Sequence, residues 1–217
     1  MKQKLLYGKE DGFKIMVKFT AREVRDIIIS MVVIALIFAY IFSGRNLSNL
    51  TSFISLIPIT FIAVGLGFVL HELAHKFVAI HYGFWAEYKL WAEGLILAVI
   101  VAVALGFVFA APGAVYIHGK YISREQNGKI SLAGPTTNII LAGLFFLMMY
   151  YFSSIQLLSQ LGFLGFWINS VLALFNLIPF SIFDGAKIFR WNPFIWIAMA
   201  VVAFIMVLYS FSGLISI

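Results

Sequence analysis

The sequence predicts an all-α polytopic membrane protein: about five full transmembrane helices plus one re-entrant hairpin, with a short membrane-dipping β segment compatible with part of that hairpin. Three observations predict it. Of 217 residues, 63% are hydrophobic and only 11% charged, and mean hydropathy is +1.02, far from the norm of roughly 45–50% apolar and 25% charged in soluble domains. Several apolar runs reach the roughly 18–20 residues that cross a bilayer as helix. The basic residues are distributed so unevenly around those runs that one run is better read as returning to the side it came from.

The first span, 27–42, is preceded by Thr20-Ala21-Arg22-Glu23. This is a capping-box pattern, in which the Thr hydroxyl and the Glu carboxylate would reciprocally satisfy free helix-end amides while the charged first turn snorkels to the interface. It ends near Ser43-Gly44-Arg45, turn residues and a charge suited to a membrane surface. A second span is expected over 53–80. The third apolar run, 94–117, contains Gly106 and the pair Pro112-Gly113, and broken backbone at membrane depth survives only where protein or a wet cavity covers it. Further spans are expected over 135–152, 162–179 and 193–213, with Pro135 and Pro193 in first helical turns.

Charge decides how the third run is threaded, because cytoplasmic flanks carry an excess of Lys and Arg. Full spanning by 94–117 would put Arg45, Lys120, Arg124, Lys129, Lys187 and Arg190 outside. A re-entrant path leaves only Arg45 of the 15 basic residues there. The re-entrant path is therefore expected, with an extended second arm over 107–117 and a cytoplasmic N-terminus. The chain reads as one membrane-embedded domain, with a cytoplasmic segment over 1–20 and a core over 53–190. The net charge of +6 is accounted for by this topology signal and points to no nucleic-acid partner. No small-residue cleavage pattern follows the first apolar stretch, so it reads as a retained anchor of a multi-pass protein of the cell membrane.

No cysteine is present, so a metal must be held by His, Asp or Glu. His71-Glu72-Leu73-Ala74-His75 lies in the second span. On a helix, His71 and His75 project from one face one turn apart, the spacing that lets two imidazoles grip one zinc ion, with Glu72 beside them as a general base. Two core histidines satisfied by hydrogen bonds are the alternative. Three ionisable residues within five positions at membrane depth favour a shared functional purpose. A catalytic zinc wants a third protein ligand. Asp184, the only acidic residue after Glu125, falls on the same side of the membrane as the motif when 94–117 is re-entrant. His81 and His118 are isolated and read as surface residues, and Gly65 and Gly67 as close-packing positions.

Asn176, Pro179, Asp184 and Gly185 form an NxxPxxxxDG element that resembles that of the site-2 protease family of intramembrane metalloproteases. The family's GPxxN element is matched by Gly134, Pro135 and Asn138, and the three motifs stand in the family's order across residues 53–190. The resemblance implies that His71, His75 and Asp184 bind Zn(2+) and that Glu72 is the catalytic base. It also implies that Asn138 and Asn176 position substrate backbone or the oxyanion; interhelical hydrogen bonding is the other reading open for both. Ser181 stands where many relatives carry a second proline, and no PDZ or CBS module accompanies the core. The arm 107–117 looks like the family's membrane-dipping sheet, whose edge could hold a substrate extended.

The function expected on these grounds is zinc-dependent hydrolysis of peptide bonds within or near transmembrane segments of other membrane proteins, its substrates and partners. Two alternatives are a zinc-binding transporter, disfavoured by the lack of an internal repeat, and a non-catalytic helix-binding relative, disfavoured by the intact Glu72.

Overall fold

The computed structural model describes residues 18–45, 50–106, 108, 112–119, 121–180 and 182–214; most of the expected segment 1–20, together with Phe107, Lys120 and Ser181, lies outside these. Helix α1 (Ala21–Phe42) is followed by α2 (Leu50–Thr60), a π-helical turn (Phe61–Gly65) and α3 (Leu66–His81). These last three run on as one 32-residue apolar helix, Leu50–His81. Strand β1 (Trp85–Leu90), helix α4 (Ala92–Leu105) and strand β2 (Gly113–His118) come next, then α5 (Arg124–Tyr151), α6 (Gln156–Asn176), the short α7 (Asp184–Trp191) and α8 (Pro193–Leu214). Among the described residues five helices are long and apolar enough to cross a membrane, and the chain is a multi-pass membrane protein.

Strands β1 and β2 pair antiparallel, with Trp85 opposite His118 and Leu90 opposite Gly113. The chain therefore comes back beside the point it left, as a re-entrant hairpin requires. Its first arm is α4, which lies on α1 with Ala98 and Ala102 against Ile37. It ends at Gly106, whose φ of +78° is a left-handed conformation open to glycine. A Cβ there would meet the Arg45 side chain, so the hairpin reaches the C-terminal end of α1 while β1 docks at the N-terminal end. Among the described residues of the second arm, Gly113–His118 is extended, as expected.

Two local expectations are corrected. Thr20 does cap α1, accepting from the Glu23 N–H at 3.1 Å, but the Glu23 carboxylate does not reach back or snorkel. It is buried on Lys76 and on the Tyr88 N–H, 3.0 Å away. Nor does Pro135 start a helix: α5 begins at Arg124 behind a complete capping box of Ser123 and Gln126, and Pro135 sits inside it. The polar first turns of α5 hid this start from a search for apolar runs.

Packing follows membrane rules, in which small residues let backbones approach. A Cβ on Gly162 would meet the Met149 backbone at 2.6 Å, which lets α6 lie close along α5. Phe145, Phe166, Ile34, Ala63 and Val64 fill the core around that contact. The Thr60 hydroxyl, just before the π turn, donates to the Ala35 carbonyl of α1 at 2.9 Å, so the widened turn is tied to a neighbouring helix.

Candidate active site

Helix α3 presents His71 and His75 on one face, and their Nε2 atoms lie 3.0 Å apart. Asp184, the first residue of α7, places Oδ2 at 3.4 Å from His71 Nε2 and 3.0 Å from His75 Nε2. All three side chains are buried. They converge because α6 ends at Asn176, a short turn follows, and Gly185 lets α7 start against the end of α6; a Cβ there would strike the Leu177 carbonyl.

Each imidazole is oriented from behind. The Ile130 carbonyl can only accept, so His75 Nδ1, 2.8 Å away, carries a proton and donates. His71 Nδ1 lies 2.5 Å from Asn138 Oδ1. The Asn138 amide donates to the Gly67 carbonyl at 3.2 Å and to Asn169 Oδ1 at 3.0 Å, which leaves Oδ1 as the acceptor and His71 Nδ1 as the donor. Both rings thus turn Nε2 toward Asp184, the arrangement that metal-ligating histidines show.

The fit to zinc can be tested on these distances. Ligand atoms on a tetrahedral zinc at about 2.0–2.1 Å lie about 3.3 Å from one another, close to the 3.0 and 3.4 Å separations found here. Space is kept for an ion as well: α5 passes the site at Gly134, and a Cβ there would collide with Nε2 of both histidines. Burial by itself would raise the Asp184 carboxyl, but the neighbouring His75, His71 and Lys187 outweigh it and hold it well below the ordinary carboxylate value. Lys187 Nζ sits 3.2 Å from Oδ1, leaving Oδ2 toward the histidines. The trio suits Zn(2+), the cofactor of this chain.

Glu72 lies beside the trio and accepts the Val115 N–H of β2 on Oε2 at 3.0 Å. Asn138 is fully buried, and each of its polar atoms is engaged as described, joining α5 to α3 and α6 behind His71. Asn176 donates to the Leu172 carbonyl at 2.9 Å, within its own helix. His81 and His118 are exposed and lie outside the His71, His75 and Asp184 group. Asn169, which belongs to none of the sequence motifs, donates its amide to the Ala63 and Gly165 carbonyls. A lone amide in an apolar span was the available signal. Neither the place of Lys187 at Asp184 nor the Glu72–Val115 contact is marked by anything in the local sequence. Gly67 does serve close packing, since a Cβ there would meet the Asn169 carboxamide at 2.5 Å.

No protein-family model matches the chain, and no solved structure does. Curated sequences do. Over 179 residues, 82% of this chain and 89% of the other, it is 50% identical to a protein of Methanocaldococcus jannaschii named "Putative zinc metalloprotease MJ0611". Over 156 residues, 62% of this chain and 69% of the other, it is 30% identical to a Bacillus subtilis protein named "Putative zinc metalloprotease YwhC". Taken with two histidines and an aspartate converging beside a glutamate in a helical membrane protein, this extent of likeness means that the chain belongs to the zinc metalloprotease family of these two proteins.

Proposed function

We propose that this protein is an intramembrane zinc endopeptidase that hydrolyses peptide bonds within or near transmembrane segments of other membrane proteins. The observation that carries the reading is the convergence of His71, His75 and Asp184 within 4.8 Å of one another, with His71 and His75 inside an apolar 32-residue helix. A protease site set at that depth has membrane-embedded chain as its natural substrate. The resemblance of the GPxxN and NxxPxxxxDG elements to the site-2 protease family supports the same reading.

His71, His75 and Asp184 would hold the zinc, which when bound supplies Lewis-acid activation of water and of the scissile carbonyl. Glu72 takes the proton from the attacking water and passes it to the leaving amine. Asn138 and Ile130 keep His71 and His75 in the tautomer that leaves Nε2 toward the ion. The outer edge of β2, next to Glu72, offers backbone groups on which an unwound substrate can extend. Water enters from the cytoplasmic side in this reading, since the basic residues flanking the spans favour that orientation for the motif end of α3. The membrane concerned is the cell membrane.

The test is cleavage by the purified full chain, loaded with zinc in detergent, of a panel of transmembrane-helix substrates, with Glu72→Gln as control. Cleavage by the wild type that disappears in the variant is expected. Persistent cleavage in the variant removes Glu72 as the base, and no cleavage by the wild type on any substrate removes the proteolytic reading.

A further inference from the structure

The two strands of the hairpin turn their outer edges to carboxylates, but the two edges are held differently. Tyr88 and Val115 are opposite one another, and each sends its N–H away from its partner, the geometry of a non-hydrogen-bonded antiparallel pair. On the β1 side, Tyr88 N–H donates to Glu23 Oε1 at 3.0 Å and Leu90 N–H to Asp26 Oδ2 at 3.4 Å. Glu23 is fixed there by the fully buried Lys76, whose ammonium also reaches the Lys18 carbonyl at 3.0 Å. That edge is closed by structure.

On the β2 side the acceptor is Glu72 Oε2, at 3.0 Å from Val115 N–H, and Glu72 is the group that must be at liberty to move a proton. Among the described residues the sheet has two strands, so within them the outward backbone groups of Gly113, Val115 and Ile117 have no third strand. Of these edge residues Val115 and Ile117 are half-buried and Gly113 is buried, while Ala114 and Tyr116, whose own backbone groups face β1, turn exposed side chains to the open face of the sheet. One N–H serves one good acceptor at a time. A chain that pairs with this edge competes for the Val115 proton donor with its own backbone carbonyl, at the spacing strand addition demands.

We propose that the Val115 N–H is a substrate-operated latch on Glu72: at rest it holds the carboxylate, and an extended substrate segment pairing with the outer edge of β2 takes that N–H and releases Glu72. The proposal rests on the proteolytic reading above and adds to it a reason for unpaired, helical chain to be ignored. Only a segment already unwound onto β2 frees the base. Glu72 and Val115 lie 43 positions apart in sequence, so the contact ties the metal helix to the hairpin.

Residue-resolved amide exchange on the full zinc-loaded chain in detergent tests the contact without relying on activity. Glu72→Ala removes the acceptor and should speed Val115 exchange by about tenfold, as expected for loss of one hydrogen bond of about 1–1.5 kcal/mol, while Tyr88 exchange stays at the wild-type rate. An acetylated, amidated alternating Val-Ala octapeptide should restore Val115 protection in that variant. Unchanged Val115 exchange in Glu72→Ala, or no protection by the octapeptide at millimolar concentration, overturns the latch.

Val115→Pro supplies the kinetic arm. It deletes an N–H that is not in the β1 ladder, a position where a strand tolerates proline. With membrane-helix substrates KM should rise several-fold and kcat should be at or above the wild-type value. A fall in kcat at unchanged KM means that the N–H positions Glu72 throughout the reaction, and overturns the proposal. Should Val115→Pro lose zinc or thermal stability, the exchange comparison decides alone. It also separates the two ideas: absence of cleavage by the wild type removes the protease reading, whereas the exchange result speaks to the latch.

Discussion

His71 and Asn138, 67 positions apart in sequence, meet at 2.5 Å between Nδ1 and Oδ1. That contact turns His71 toward Asp184 and joins α3 to α5. Asn138→Leu keeps a side chain of similar size but removes the acceptor. Loss of an outer partner of a ligating histidine typically costs about 10–100-fold in metal affinity. Zinc content measured after dialysis against graded chelator should fall by that order, and an unchanged affinity would show that Asn138 only packs.

Gly134→Ala should abolish zinc binding more completely than the loss of Asn138. The added Cβ meets Nε2 of His71 and of His75 together, so it occupies space the ion requires, whereas alanine is otherwise the better helix former. The expected phenotype is a folded helical protein with zinc stoichiometry near zero, read by circular dichroism and metal analysis.

Glu23 and Lys76 form a buried ion pair between α1 and the residue after His75. Removing one member leaves a buried unpaired charge, for which about 3–5 kcal/mol of destabilisation is usual, whereas apolar replacement of both can be nearly neutral. Thermal unfolding in detergent should therefore rank Lys76→Met well below Lys76→Met combined with Glu23→Leu. Additive effects of the two substitutions would contradict this account.

Zinc should stabilise the fold by mass action. At a free concentration about 1,000 times its Kd, a ligand adds about 4 kcal/mol. Chelation should lower the unfolding temperature of the wild type, re-addition should restore it, and Asp184→Ala should make the protein indifferent to both treatments.

The hairpin threading is checked by a reporter fused after Lys120. Charge asymmetry expects it to be cytoplasmic; an external reading would contradict that orientation.

The spans were legible in the sequence because apolar runs long enough to cross a bilayer are a local, repetitive signal. So was the pairing of His71 with His75, which needs only the pitch of one helix. The antiparallel return of β2 beside β1 agrees with the path that the charge count expects, and Asp184 stood out through its isolation at the end of an apolar run together with that expected path. Pro135 misled, because the polar turns before it in α5 obey a capping rule rather than a hydropathy rule. What tertiary structure alone decided are the contacts that make the motif a site: Asn138 behind His71, Ile130 behind His75, the bare backbone of Gly134 beside the ion's place, and Val115 on Glu72. Each joins positions far apart in the chain through a single hydrogen bond or a missing methyl group. Such a contact leaves no periodic trace in sequence, and it exists only once packing has brought α3, α5 and the hairpin to within hydrogen-bonding distance.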